Sequence, residues 1–344
     1  MPKGHNTKQE RNETMKIVLD AMGTDDHPAP DVEGAVLAAR EWGDEIVLVG
    51  DKERVQPELD KYDTAGLKLE LVHASQVIEM TDKPAAIAKA KKDSSMRVGM
   101  NMVRDGEADA FVSAGNTGGL LTVATLHSVR RIRGIKRPAI TAALPLANGH
   151  VTMLDVGANA DCKPEFLLQF GIMGSIYTER VLGVENPRVA LLSNGEEPGK
   201  GNELTKAAFG LLQASPLDFV GNVEGKELIA GEADVVVSDG FTGNVAIKTI
   251  EAVAKMINDM IRGELMSNPL TVLGGLLAKP AFRRVGKRLD PFEVGGAPLL
   301  GVNGIIIGAH GRSNGWAMRN AIRQARQAVE GDMVTAIKQG LEAL

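Results

Sequence analysis

Residues 108–119 read ADAFVSAGNTGG and residues 233–244 read ADVVVSDGFTGN; the two strings agree at seven of twelve positions. Each is a short β-branched run, then S-x-G-x-T-G, then the start of an amphipathic segment. Twice, therefore, the chain sets glycines and hydroxyls where a strand hands over to a helix. A helix N-terminus presents unsatisfied N–H groups and the positive end of its dipole, and glycine lets an anion come close to the backbone. Ser113, Gly115, Asn116, Thr117, Gly118 and Gly119 in the first copy, with Asp239, Thr242 and Asn244 in the second, suit a phosphate or a developing oxyanion. The same string also serves as an ordinary turn with a Ser or Thr cap.

Three further loops share this style. In 155–165 (DVGANADCKPE), Pro164 suits the first turn of a helix and puts Asn159 and Lys163 at its mouth. Lys163 offers three donors on a point charge, or is a solvated surface lysine. In 193–203 (SNGEEPGKGNE), Asn194, Glu196, Glu197 and Lys200 crowd among glycines, as a polar site or a charged turn, without Walker or G-x-G-x-x-G order. Residues 308–315 (GAHGRSNG) hold His310, the one histidine of six in a loop of this kind, suited to proton transfer or to a buried hydrogen bond. Asp20, which closes the first strand run, and Asp239 read as carboxylates at one sheet edge, either capping helices or orienting a lysine or a polar ligand. Cys162 beside Lys163 is a conceivable thiolate nucleophile, but no histidine neighbours it in sequence.

Such loops need a sheet to hold them. Runs at 16–20, 45–49, 67–72, 109–113, 139–144, 151–155, 188–193 and 234–238 alternate with longer amphipathic segments, the pattern of βαβ units around a buried parallel sheet. In open sheets of this kind ligands sit outside the carboxyl ends of the strands. Val245, Ile247, Ile250, Val253, Ile257, Ile261 and Leu265 recur at three- and four-residue spacing, which predicts a helix over 245–265 with that face in the core. No clean linker divides the chain. One mostly parallel, Rossmann-like α/β/α unit is expected over 15–344, behind a disordered polar tail at 1–14.

Composition narrows the classes. The 344 residues include 39 glycines but only 12 of Phe, Tyr and Trp, and carry a net charge of −5, which speaks against a nucleic-acid binder. A single cysteine and the lack of H-E-x-x-H spacing leave neither a disulfide framework nor a metal to expect, and a reducing, cytoplasmic location is the default. No uninterrupted apolar run approaches the roughly 18 residues of a membrane span. Within 270–290, however, Leu273, Leu276, Leu277 and Phe282 interleave with Lys279, Arg283, Arg284, Lys287 and Arg288. Gly274, Gly275 and Pro280 are expected to break this stretch into a protruding hairpin of short helices, about 266–292. An apolar and basic hairpin suits an anionic membrane surface or an acidic partner, or else forms a dimer contact or lid.

DAMG at 20–23, SAGNTGG at 113–119, LDVGANADCKPEFLLQFGIMG at 154–174, RVALLSNGEEPGKGNE at 188–203, DVVVSDGFTGNVAIKT at 234–249 and GGAPLLGVNG at 295–304 run in this order, with His310–Gly311 after them. Together they resemble the acyl-carrier-protein:phosphate acyltransferase family, PlsX, of bacterial phospholipid synthesis, across nearly the whole chain. Thr24 departs from the pattern, since the family more often carries a second glycine there. The resemblance implies a dimeric α/β/α enzyme related in fold to phosphotransacetylases and isopropylmalate-type dehydrogenases, without a cofactor. It would convert long-chain acyl-ACP and inorganic phosphate reversibly into acyl phosphate and free carrier protein. The product would pass to a membrane glycerol-3-phosphate acyltransferase, the protein resting peripherally on the inner face of the cell membrane.

From the chemistry, Lys163 and the Asn116–Gly119 turn are expected to position phosphate, Asn159, Asn194 or turn N–H groups to face the oxyanion, and His310 to protonate the leaving thiolate. Asp20, Glu196, Lys200, Asp239, Thr242 and Asn244 would support the substrates. Leu273, Leu276, Leu277, Arg283, Arg284, Lys287 and Arg288 would meet the membrane or the carrier. An acyl-CoA enzyme of phosphotransacetylase type and a non-enzymatic membrane scaffold are the alternatives.

Overall fold

The computed structural model describes residues 14–83, 89–146 and 149–342, and the side chains of these apart from 288, 289 and 291. The expected tail, but for Thr14, and the side chain of Arg288 thus lie outside the described residues. The strands are β1 Lys16–Asp20, β2 Glu45–Gly50, β3 Leu69–His73, β4 Ala110–Ser113, β5 Ala139–Leu146, β6 Gly149–Leu154, β7 Val189–Leu192, β8 Phe219–Val223, β9 Val235–Val237, β10 Ala297–Leu300 and β11 Ile305–Gly308. The helices are α1 Ala29–Trp42, α2 Lys52–Leu59, α3 Ser95–Arg104, α4 Thr117–Thr122, α5 Pro164–Arg180, α6 Glu203–Gln213, α7 Gly225–Ala230, α8 Gly240–Leu265, α9 Pro269–Leu289, α10 Pro291–Val294, α11 Gly315–Glu330 and α12 Met333–Glu342.

All eleven strands join one sheet in the order β3-β2-β1-β4-β11-β10-β5-β6-β9-β7-β8. Apolar residues fill both faces, as a sheet covered on two sides requires. Ile17 and Leu19 of β1 enter one core cluster and Val18 the other, while Val235 and Val237 of β9 oppose Val236 in the same way. One cluster runs unbroken beneath the sheet from α1 and α11 to α5 and α12. The other face holds two separate clusters, one around α3 and α4 and one around α7 and α8. The gap between those two clusters is where the site lies.

The expected parallel sheet is present, with one reversal at its centre. β10 pairs antiparallel with both β11 and β5, and β5 antiparallel with β6, so the β6-β9-β7-β8 half runs opposite to the β3-β2-β1-β4-β11 half. Asp20 and Asp239 therefore belong to halves pointing in opposite directions, not to one carboxyl edge. The halves are staggered: β10 meets the end of β4's neighbour at Ala297–Gly308 and the start of β5 at Leu300–Ala139. This stagger lets loops from both halves converge over the β10–β5 junction.

Two helical expectations change. α9 is one helix, because Asn268 caps it reciprocally with Thr271, Pro269 opens it, and Gly274, Gly275 and Pro280 ride inside. The protruding pair is thus α8 and α9 joined by 266–268, not a break within 270–290. The face of α8 expected in the core is also largely uncovered: Val245 is 51% exposed, Val253 43% and Ile257 48%, against 7% for Ile247. At 26 residues α8 is about 39 Å long and outruns the short strands beneath it.

Candidate active site

A cavity of about 460 Å³ fills the gap between the two upper clusters, within the range of ligand pockets, ~300–1,000 Å³. Its floor is Ile140, Ala142 and Leu144 of β5 with Leu299 of β10, and its wall is Ile247, Ile250 and Ala254 of α8. Five polar side chains line it: Thr117, Asn244, Lys248, Glu251 and His310. The combination suits a substrate with a long apolar part and a polar, anion-assisted reacting end.

Both S-x-G-x-T-G copies reach this cavity. The first contributes Gly115 and Thr117 at the start of α4. Parallel pairing of Gly308 with Ser113, and the Ala309 N–H donating to the Ser113 carbonyl at 2.8 Å, lay the His310 loop beside them. The second contributes Asn244, one turn into α8. A Cβ at Gly157 would meet the Asn244 side chain at 3.9 Å, and a Cβ at Gly243 would meet the Asp155 carbonyl oxygen at 2.0 Å. Only glycine at 243 allows α8 to press its first turn onto the loop after β6.

Asp155 knots that loop. Its carboxylate accepts from the Ile140, Gly157, Ala158 and Asn159 N–H groups and from Asn159 Nδ2, at 2.7–3.2 Å. Burial pushes its pKa up, opposed by these donors. Sequence reasoning passed over it, although it closes a strand run as Asp20 does.

Several residues expected to touch substrate are already spent. Asn116 Nδ2 donates to the carbonyls of Glu79, Met80 and Asp82, while its Oδ1 caps α4 by accepting from the Gly119 N–H. Asn159 Nδ2 donates to Asp155 and to the Pro138 carbonyl, which leaves no side-chain donor for an oxyanion. Ser113 Oγ donates to buried Asp20 and accepts from the Gly115 N–H, a pair that shapes the turn from below. Asp239 caps α8 through the N–H and hydroxyl of Thr242. Gly118 and Gly119 form the first turn of α4 without lining the cavity. Thr24 gives its hydroxyl to buried Asp31 at 2.6 Å, a bond that a glycine there could not make.

Lys163, Asn194, Glu196 and Lys200 are exposed and do not line the cavity. Glu196 pairs with Lys226 at 2.9 Å; the same ammonium sits 3.5 Å from Glu224 and 3.0 Å from Glu227. That lysine fills the space which three clustered carboxylates would otherwise offer a cation. Lys248 and Glu251, by contrast, escaped sequence reasoning because they looked like the solvated face of an amphipathic helix. The α8 register relative to β5, which no spacing reveals, brings them to the cavity.

Electrostatics separate the two candidate reactive groups. Burial, then the neighbouring Asp155 charge, pushes the Cys162 thiol up to about 12, so it is no thiolate at neutral pH. His310 moves the other way: desolvation first, then Lys248 and Arg312, lower its pKa against the pull of Glu251. That direction favours the neutral imidazole, which can accept a proton. In Arg312 the guanidinium lies 5.9 Å from the Phe292 ring centroid.

Comparison with known proteins agrees with this architecture. In fold, the chain is similar to a branched-chain phosphotransacylase from Enterococcus faecalis V583 (TM-score 0.59, 16% identity, 92% of this chain and 99% of that one). It is also similar to the EutD phosphotransacetylase from Staphylococcus aureus (TM-score 0.55, 15% identity, 96% and 94%). In sequence, it is 50% identical over 327 residues to a phosphate acyltransferase of Heliobacterium modesticaldum, covering 94% of this chain and 97% of that one. It is 48% identical over 330 residues to a phosphate acyltransferase of Pelotomaculum thermopropionicum, covering 96% of each. A family model described as fatty acid synthesis protein matches residues 15–336. With that match and relatives about half identical along almost their whole length, the chain belongs to the fatty acid synthesis protein family, PlsX, a family of acyltransferase enzymes.

Proposed function

We propose that this chain transfers a long-chain acyl group reversibly from acyl carrier protein to inorganic phosphate, and that the acyl phosphate feeds membrane phospholipid synthesis. The observation that carries the reading is the cavity, in which an apolar floor and wall meet Thr117, Asn244, Lys248 and His310. The acyl chain lies along β5 and α8. Phosphate sits against the polar lining, with its oxygen held at the thioester carbonyl. Attack forms the C–O bond and a tetrahedral oxyanion, faced by the Asn244 amide and the Thr117 hydroxyl; collapse breaks the C–S bond. Hydrogen phosphate gives its proton to neutral His310, which returns it to the departing sulfur, so protons balance with the free thiol as product.

Phosphate is itself the nucleophile, so no acyl-enzyme is needed. Cys162→Ala is expected to keep kcat within about twofold; loss of turnover in a folded variant would sink direct attack. Purified chain, acyl-ACP and phosphate should yield acyl phosphate, trapped as hydroxamate. Silence in that assay from folded protein would overturn the reading and favour a scaffold. Preference for acyl-CoA in a competition between donors would replace the carrier protein by CoA.

The exposed apolar residues of α8, among them Phe241, Val245, Val253, Met256 and Met260, support a homodimer in which a second copy covers them. Leu273, Leu276 and Leu277 are 56%, 59% and 79% exposed, and Arg283 and Arg284 stand exposed beside them. These support a peripheral contact with an anionic membrane, where the acyl phosphate would pass to a glycerol-3-phosphate acyltransferase, and with the acidic carrier. No helix among the described residues is long and apolar enough to cross a membrane. Lys287 is partly committed, 3.7 Å from Glu293 and 6.0 Å from the Trp316 ring centroid. Removing the charges of Arg283, Arg284 and Lys287 should weaken binding to anionic vesicles by roughly 100-fold, at about 1 kcal/mol per basic residue, or raise KM for acyl-ACP. No change in either quantity removes this surface from both roles.

A further inference from the structure

We infer that Lys248, held in reach by Glu251, is the lysine that binds the phosphate inside the cavity, in place of the lysines at 163 and 200. The inference rests on the reading of the cavity as an acyl and phosphate site, and it assigns the cation of that site. Three observations carry it.

The first is placement. Asn244, Lys248 and Glu251 follow one another at spacings of four and three, so they share the face of α8 that lines the cavity, together with Ile247 and Ala254. Along that face polar Asn244, Lys248 and Glu251 alternate with apolar Ile247, Ile250 and Ala254, so a charged head and an apolar tail both find partners on it. Lys248 is 54% exposed at the cavity mouth, and what sets it apart from the likewise exposed Lys163 and Lys200 is that it lines the cavity and they do not.

The second is free donor capacity. Lys248 Nζ donates to Glu251 Oε2 at 2.8 Å. An ammonium has three donors, so two remain for phosphate oxygens. Tethering by the carboxylate also reduces the rotamer freedom that a flexible lysine would lose on binding an anion. Glu251 is thus a positioning residue, acting through Lys248.

The third is the charge that the site already shows. Lys248 and Arg312, against the one carboxylate of Glu251, act on His310 at the polar end of the cavity, so an anion meets a net positive charge there.

The test measures inorganic phosphate binding to the full chain by calorimetry, beside acyl-ACP binding and acyl phosphate formation. Lys248→Ala should weaken phosphate binding by roughly 10- to 100-fold, the worth of charge-assisted hydrogen bonds, with acyl-ACP affinity within about twofold. Lys248→Arg should recover part of the loss. Lys163→Ala and Lys200→Ala should bind phosphate as the unsubstituted chain does. Glu251→Gln should raise the KM for phosphate more than it changes kcat, a split that a merely structural residue would not produce. Unchanged phosphate binding in Lys248→Ala, or loss in Lys163→Ala or Lys200→Ala instead, overturns the assignment alone. If phosphate binding depends on Lys248 but no acyl phosphate forms, the assignment stands and the proposed reaction falls. An unsubstituted chain that binds no phosphate at millimolar concentration overturns both.

Discussion

Asp155→Ala is expected to lose roughly 3 kcal/mol or more of stability in urea unfolding and to abolish acyl phosphate formation. The carboxylate is fully buried and gathers five donors from β5, from the turn after β6 and from Asn159. Leaving buried donors without an acceptor costs about 1–3 kcal/mol each, with incomplete additivity inside one network. The damage reaches the site through contact. The Asn159 carbonyl accepts from the Gly240 N–H at 2.8 Å, and the Asp155 backbone lies against Gly243, so the loop sets where α8 begins. A shift there moves Asn244 and Lys248 together. Asp155→Asn keeps an acceptor for the Oδ1 partners but turns an NH₂ group toward the donors on Oδ2, and should fall between. Activity surviving in Asp155→Ala with an unchanged unfolding midpoint would show that the loop is held some other way.

For His310→Ala, the expected result is a fall in kcat of roughly 10²–10⁴, the usual contribution of a positioned acid–base group, with phosphate binding nearly retained. Its depressed pKa fixes the sign of the pH profile. The working form is neutral, so activity holds through neutral pH and declines on the acid side, below the ordinary histidine value near 6.5. The groups acting on it are Lys248 and Arg312, which keep it neutral, and Glu251, which favours the proton, with burial the largest influence. Lys248→Ala should consequently move the acid limb toward higher pH, and Glu251→Gln toward lower pH. A His310→Ala variant with kcat within threefold of the parent, or without loss of the acid limb, would assign the proton to another group.

Much of this molecule is legible in its residues. β1 runs Lys16–Asp20 as expected from KIVLD, and the two S-x-G-x-T-G strings do open helices at the cavity, because β-branched alternation, glycine and short polar caps act over a few residues. β10 and β11 were missed for a related reason. They are four residues each, lie among Gly and Pro, and owe their strand conformation to neighbours in the sheet centre.

Three things were out of reach of spacing. The reversal at β10 and β5 decides that the halves run in opposite directions, through pairings between segments as far apart as Leu299 and Ile140. Hydrogen bonds from distant residues decide which polar groups are spent: the amide of Asn116 is consumed by carbonyls at 79–82, and that of Asn159 by Pro138. The register of α8 over β5 decides that Lys248 lines the cavity and Val245, three residues earlier, does not. Periodicity is a property of the local backbone, so the sequence alone determines the strongly patterned strands and the helix starts with their caps, though not short central strands such as β10 and β11. A side chain's freedom to meet a substrate depends on what the rest of the chain has already bonded or buried, and only the packed structure decides that.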